Sequence, residues 1–125
     1  MSIGGGGQLQ ALQQEMQALA ERREELEEQI EELEAEKREI DEAIDGLDAL
    51  ETGGTVHVPL GGDAFVRATI EDADEIVVNL GANFAATENR EQAADTLETK
   101  QERLDERIES LREENAQLDE QESKL

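Results

Sequence analysis

The sequence has 125 residues, of which only 36% are apolar and 2% aromatic, too few for a large globular core and consistent with an extended architecture. Thirty-four acidic residues against eleven basic ones give a net charge of −23, a field that repels nucleic acid and anionic membrane surfaces alike. Cysteine is absent, which removes disulfide and thiol chemistry.

At the N-terminus, Met-Ser-Ile and the run Gly4 to Gly7 lack the basic region and apolar stretch of a signal peptide, and no segment approaches membrane-spanning length. Residues 1–7 are expected to form a flexible leader and the chain to be cytoplasmic. The glycines do not make a phosphate cradle, since no Lys-Ser or Lys-Thr follows them and no strand precedes them.

From Leu9 a heptad frame runs without a break. Leu9, Met16, Arg23, Ile30, Lys37 and Ile44 occupy one core position, and Leu12, Leu19, Leu26, Leu33, Ile40 and Leu47 the other. The first coiled-coil helix is placed within residues 8–52, ending at Thr52, Gly53 and Gly54. Arg23 and Lys37 are expected to lie across the seam with their charges reaching acidic neighbours. Gly46 costs this helix about 1 kcal/mol relative to Ala.

Residues 53–87 change character. Segments 56–60, 64–70, 75–80 and 84–86 are short, apolar-rich and bounded by Gly, Asp or Asn, which predicts four strands. Val58, Leu60, Gly61, Gly62 and Asp63 return twenty residues later as Val78, Leu80, Gly81, Ala82 and Asn83, so the segment is a duplicated hairpin with a tight glycine turn. Pro59 lacks an amide donor and belongs at an edge or irregularity of its strand. Two isolated hairpins expose unpaired edges, so strands from another chain should complete them. The expected assembly residues are Val56, Val58, Leu60, Phe65, Val66, Ile70, Ile76, Val78, Leu80 and Phe84. His57, the one histidine, is expected as a surface or interface strand residue. Asp72, Asp74 and Glu75 are expected to form a solvated connection, because an EF-hand glycine and distal glutamate are missing.

The second helix falls within residues 88–125, opening at Asn89 with Gln92 as its capping-box partner. Leu97, Leu104, Leu111, Leu118 and Leu125 form one core set, and Ala94, Gln101, Ile108, Asn115 and Glu122 a more polar second set that fixes register. The fold class is therefore α+β: an antiparallel two-helix coiled coil with two β-hairpins inserted between the helices, the hairpins completed by strands of another chain in an oligomer. Pairing Ile44 with Leu97 sets Leu33 against Ile108 and Met16 against Leu125. Leu9 and Leu12 then lie beyond the last residue of the second helix, leaving an apolar tip of Leu9, Leu12 and Met16 with Leu118 and Leu125.

Carboxylates four apart, such as Glu24 with Glu28 or Glu102 with Glu106, each cost a helix about 0.2–0.5 kcal/mol at low salt. Lysine stands only at 37, 100 and 124. Such a surface fits a halophile, in whose salt the Debye length falls to about 3 Å; the alternative is an ordinary acidic coiled coil.

The stretches His57-Val-Pro-Leu-Gly-Gly-Asp-Ala-Phe-Val-Arg-Ala-Thr-Ile70 and Ile76-Val-Val-Asn-Leu-Gly-Ala-Asn-Phe84 resemble the two hairpins of the archaeal prefoldin alpha subunit. The beta-type subunit of that family carries one hairpin. The resemblance implies a hexamer of two alpha-type and four beta-type subunits, with hairpins in β-barrels and six coiled coils hanging from them. It also implies an ATP-independent chaperone that grips unfolded proteins at the coiled-coil tips and passes them to a group II chaperonin, without cofactor or metal. The chain stops at Leu125, earlier than the resemblance implies, so the second helix is expected to contribute less to the tip. An enzyme is not expected, because no concave pocket selects any pair among so many carboxylates. The alternative is a structural coiled-coil scaffold without client binding, which would have no need of duplicated hairpins.

Overall fold

The computed structural model describes the backbone of residues 2–125 and the side chains of residues 6–125. In chain order it contains α1 (Ser2–Ala49), β1 (Thr55–Gly61), β2 (Ala64–Thr69), β3 (Ile76–Gly81), β4 (Phe84–Glu88) and α2 (Arg90–Ser123). These are the two long helices and two antiparallel hairpins that the heptads and the duplicated turn predict.

One difference lies at the start. Helix α1 begins at Ser2, so Gly4 to Gly7 belong to its first turns instead of a leader; Met1 lies outside the described residues. Extending an existing helix fixes only one residue per added hydrogen bond. Glycine's deficit of about 1 kcal/mol relative to Ala weakens such an extension without forbidding it. At the other end the helix closes at Ala49, ahead of the glycines. Gly54 N–H donates to Glu51 O at 2.9 Å, and Gly53 takes a φ of 83° that a side chain would resist.

The chain divides into two units, Met1–Lys37 with Arg103–Leu125 and Arg38–Glu102. In the first, the heptad pattern is visible in burial. Leu26, Ile108 and Leu111 are buried, and Leu19, Ile30, Leu33, Leu104 and Leu118 are half-buried. Arg22 donates to Glu114 at 3.0 Å, Arg112 pairs with Glu34, and Lys37 pairs with Asp105. Rising numbers on α1 meet falling numbers on α2, so the pair is antiparallel. Lys37 opposite Asp105 stands one residue from the register expected from Ile44 and Leu97.

In the second unit, Leu47, Val78 and Ala93 form a small buried core, with Leu50, Ile76, Ala94 and Leu97 packed around it. Ile40 is also buried, and Asp41 accepts from Gln101 in the same register. Strand β1 pairs antiparallel with β2, and β3 with β4, as two separate two-stranded sheets. Each is irregular at the equivalent place, between Pro59 and Gly61 and between Asn79 and Gly81. The turns match as well. Gly61, Gly62 and Asp63 have φ values of 100°, 58° and 62°, and Gly81, Ala82 and Asn83 have 91°, 49° and 64°. Two left-handed residues between strands make the primed type of turn that a twisted hairpin favours.

Candidate functional site

The candidates for function are the surfaces of the hairpins and the ends of the helices. The hairpins are anchored by specific bonds. Gly53 N–H donates to Ile70 O at 2.7 Å and Ile70 N–H to Gly54 O at 2.8 Å, prolonging the β1–β2 ladder to its base. Between β2 and β3, Asp72 Oδ1 accepts from Asp74 N–H at 2.9 Å, and Ala73 N–H donates to Thr52 Oγ1 at 3.0 Å. The acidic connection is thus a turn in which the Asp72 carboxylate serves the turn's own backbone. Asp74 in turn pairs with Arg90 at 3.3 Å.

Arg90 is a residue that sequence reasoning missed. Helix α1 has no basic residue in its last turn, and the final four carbonyls of any helix lack internal partners. Arg90, the first residue of α2, supplies the donor, reaching Leu50 O at 2.7 Å and Leu47 O at 3.4 Å. The signal was present as an uncompensated helix end. Asn89 caps α2 as expected: Gln92 N–H donates to Asn89 Oδ1 at 2.8 Å, and Asn89 N–H donates to Gln92 Oε1 at 3.1 Å. Thr96 binds Glu88 at 2.8 Å and Lys100 binds Asn79 O, both tying α2 to the second hairpin.

Of the ten residues expected to mediate assembly, Val58, Leu60, Phe65, Val66, Leu80 and Phe84 are exposed, and Val56, Ile70 and Ile76 are half-buried. Val78 is different. It is 5% exposed and packs with Leu47 and Ala93, so the chain uses it internally. Its neighbour Val77, absent from the expected set, takes the opposite face and is exposed. Side chains alternate between the two faces of a strand, and tertiary packing decides which face meets the helices. His57 lies exposed across the ladder from Arg67. Both aromatic residues of the chain, Phe65 and Phe84, are 60% and 71% exposed near the hairpin turns. Strands β1, β2 and β3 contain no carboxylate, and β4 contains only Glu88.

The expected tip residues all fall in the unit that holds the N-terminal end of α1 and the C-terminal end of α2. Leu9, Met16 and Leu125 are exposed, Leu9 most at 57%, while Leu12 and Leu118 are half-buried. A polar layer lies in this unit. Arg23 donates to Asn115 Oδ1 at 3.2 Å and to Glu122 Oε2 at 2.7 Å, and it also pairs with Asp119 at 3.1 Å. The Glu122 bond raises the pKa of Arg23 further above its ordinary value against the opposing effect of burial, so the seam position stays charged. Arg22 is raised likewise, first by Glu114 and then by Glu25. Arg23 therefore lies across the seam as expected from its heptad position.

A family model described as prefoldin subunit matches residues 12–125. The prefoldin alpha subunit of Haloquadratum walsbyi is 65% identical over 104 residues, covering 81% of this chain and 68% of that one. That of Halobacterium salinarum is 58% identical over 113 residues, 89% of this chain and 73% of the relative. The Haloarcula marismortui subunit is 54% identical over 80 residues, which span 64% of this chain and 52% of the relative's length. Among solved structures, a filamentous PFD from Methanocaldococcus jannaschii superposes with a TM-score of 0.78 at 27% identity, covering 86% of this chain and 92% of that one. Two long helices, two hairpins between them and these matches lead to one assignment: the chain belongs to the prefoldin family.

Proposed function

We propose that this chain is a chaperone subunit that assembles through its hairpins and holds unfolded proteins at the ends of its coiled coil. The observation that carries the reading is the concentration of exposed apolar side chains, including both aromatics, on strands almost free of carboxylate in a chain of charge −23. Elsewhere, approach of a second acidic subunit meets repulsion; at the strands it meets apolar surface and unpaired backbone. In this reading Val56, Val58, Leu60, Phe65, Val66, Ile70, Ile76, Leu80 and Phe84 contribute to a β-barrel shared with prefoldin beta subunits, two alpha-type with four beta-type chains.

Clients are held at Leu9, Leu12, Met16, Leu118 and Leu125. A buried aliphatic side chain contributes about 1.5–3 kcal/mol, so one tip binds weakly. Several tips in one oligomer raise the effective concentration for a client with several apolar segments. Release needs no nucleotide, and a group II chaperonin in the same cytoplasm receives the client. Replacing Leu9, Leu12 and Met16 by Ser tests the client site. The account expects suppression of aggregation of an unfolded client to be lost with the native mass of the complex unchanged. Undiminished suppression by the triple variant would move the holding surface elsewhere.

A further inference from the structure

The surface of α1 changes character at Glu21. Glu15 is the sole charged side chain between Met1 and Ala20, in a chain of net charge −23. The change runs along rows of residues seven apart. Gln10 and Gln17 head the row that continues as Glu24 and Glu31, Gln14 the row of Glu21 and Glu28, and Gln13 the row of Glu27 and Glu34, with Ala20 between. Glutamine keeps the size and polarity of glutamate without its charge, and its amide both donates and accepts. These glutamines are exposed, as are Leu9 and Met16 beside them. In the same unit, the last turns of α2 lose their charge by a different route. Asp119 and Glu122 are both paired with Arg23, at 3.1 and 2.7 Å, and Glu120 lies 3.9 Å from Lys124. Amides on one helix and cations set against the carboxylates of the other leave the end of the coiled coil nearly neutral.

We infer that this end is built for clients that are themselves acidic: unfolded segments whose apolar side chains are interspersed with Asp and Glu. Salt explains why neutrality is needed here and not along the rest of α1. In about 1 M salt the Debye length is about 3 Å, so carboxylates spread over an open helix surface are screened, whereas groups pressed together in a contact are screened much less. Taking an unpaired carboxylate out of water adds a further cost. A basic client would gain from glutamates beside Leu9 and Met16, and an uncharged one could leave them in water at the rim. An acidic client brings its own carboxylates against them, and it is the client that requires their absence. The glutamine amides also offer donors to those carboxylates and acceptors to the N–H groups of an unfolded backbone. Gln17 makes such a contact within the chain, donating through Nε2 to Glu21 Oε1 at 3.4 Å. The inference rests on the reading that clients are held at this end and names their chemical class.

The test uses the complex of the full-length chain with a prefoldin beta subunit in about 1 M KCl. Two fluorescent peptides, kept unfolded by proline, share the same apolar residues; one carries Asp and Glu at its polar positions, the other Lys and Arg. Gln10→Glu, Gln13→Glu, Gln14→Glu and Gln17→Glu, combined in one chain, keep every apolar residue of the tip and restore the charge of the rest of the helix. The Kd read by fluorescence anisotropy is expected to rise about threefold or more for the acidic peptide and to hold or fall for the basic one. The same four positions changed to Lys are expected to shift the two peptides the opposite way, which a merely disturbed helix would not do. Equal changes for both peptides overturn the inference, as does unchanged affinity for the acidic peptide or a parent complex that holds the basic peptide alone. Replacing Leu9, Leu12 and Met16 by Ser separates the two levels: if both peptides then bind as they do to the parent, clients are not held at this end, and the reading beneath is the one overturned.

Discussion

At the scale of single residues, the junction of helices and hairpins depends on Arg90. Its guanidinium joins the carbonyls of Leu47 and Leu50, at and just past the end of α1, to the carboxylate of Asp74 in the connection between β2 and β3. Arg90→Ala should cost about 1–3 kcal/mol, as those acceptors lose a charged donor, and thermal unfolding followed by circular dichroism should show Tm lower by several degrees. An unchanged Tm would mean that water replaces the guanidinium without loss. Residues whose partners are local were legible in the sequence: Asn89 and Gln92 stand three apart and cap one helix. Arg90 and Val78 were not, because their partners Leu47 and Leu50 lie some forty and thirty positions away and only packing brings them near. The alternation Ile76, Val78, Leu80 showed that one side of β3 is apolar, but not whether that side faces its own helices or a neighbour.

Among the elements, the helices were the most legible. Seam residues of α1 from Leu19 to Leu47 and of α2 from Ala94 to Leu118 are buried or half-buried, as the heptads require. The start of α1 was less so, since glycine carries no side chain whose periodicity could show a helix. Gly46 is an avoidable weakness in α1: a methyl group there would meet nothing within 4 Å. Gly46→Ala should therefore stabilise the chain by about 1 kcal/mol and raise Tm. Gly6 and Gly7 are equally open, so replacing both by Ala should increase ellipticity at 222 nm, showing a firmer first turn. No change in ellipticity would indicate that these residues are already fully helical in solution.

For the whole molecule, charge sets the conditions of stability. Carboxylate pairs such as Glu24 with Glu28, Glu27 with Glu31 and Glu102 with Glu106 lie on exposed helix surface, where screening acts fully. Kinship with haloarchaeal alpha subunits fits that surface. Helicity and Tm should rise from about 0.1 M to about 1 M KCl, over which the Debye length falls from about 10 Å to about 3 Å. Equal Tm values would show that repulsion is not a limiting cost. The composition foretold an acidic chain with too few apolar residues for a large globular core, and the apolar residues it has lie mainly on two helix seams and four short strands. The central claim, that the strands and not the coiled coil drive assembly, is tested most directly by the native mass of the complex formed with a prefoldin beta subunit when residues 55–88 are replaced by a short loop. The account predicts that the shortened chain stays helical in high salt and no longer enters the complex; a complex of undiminished subunit number would contradict it.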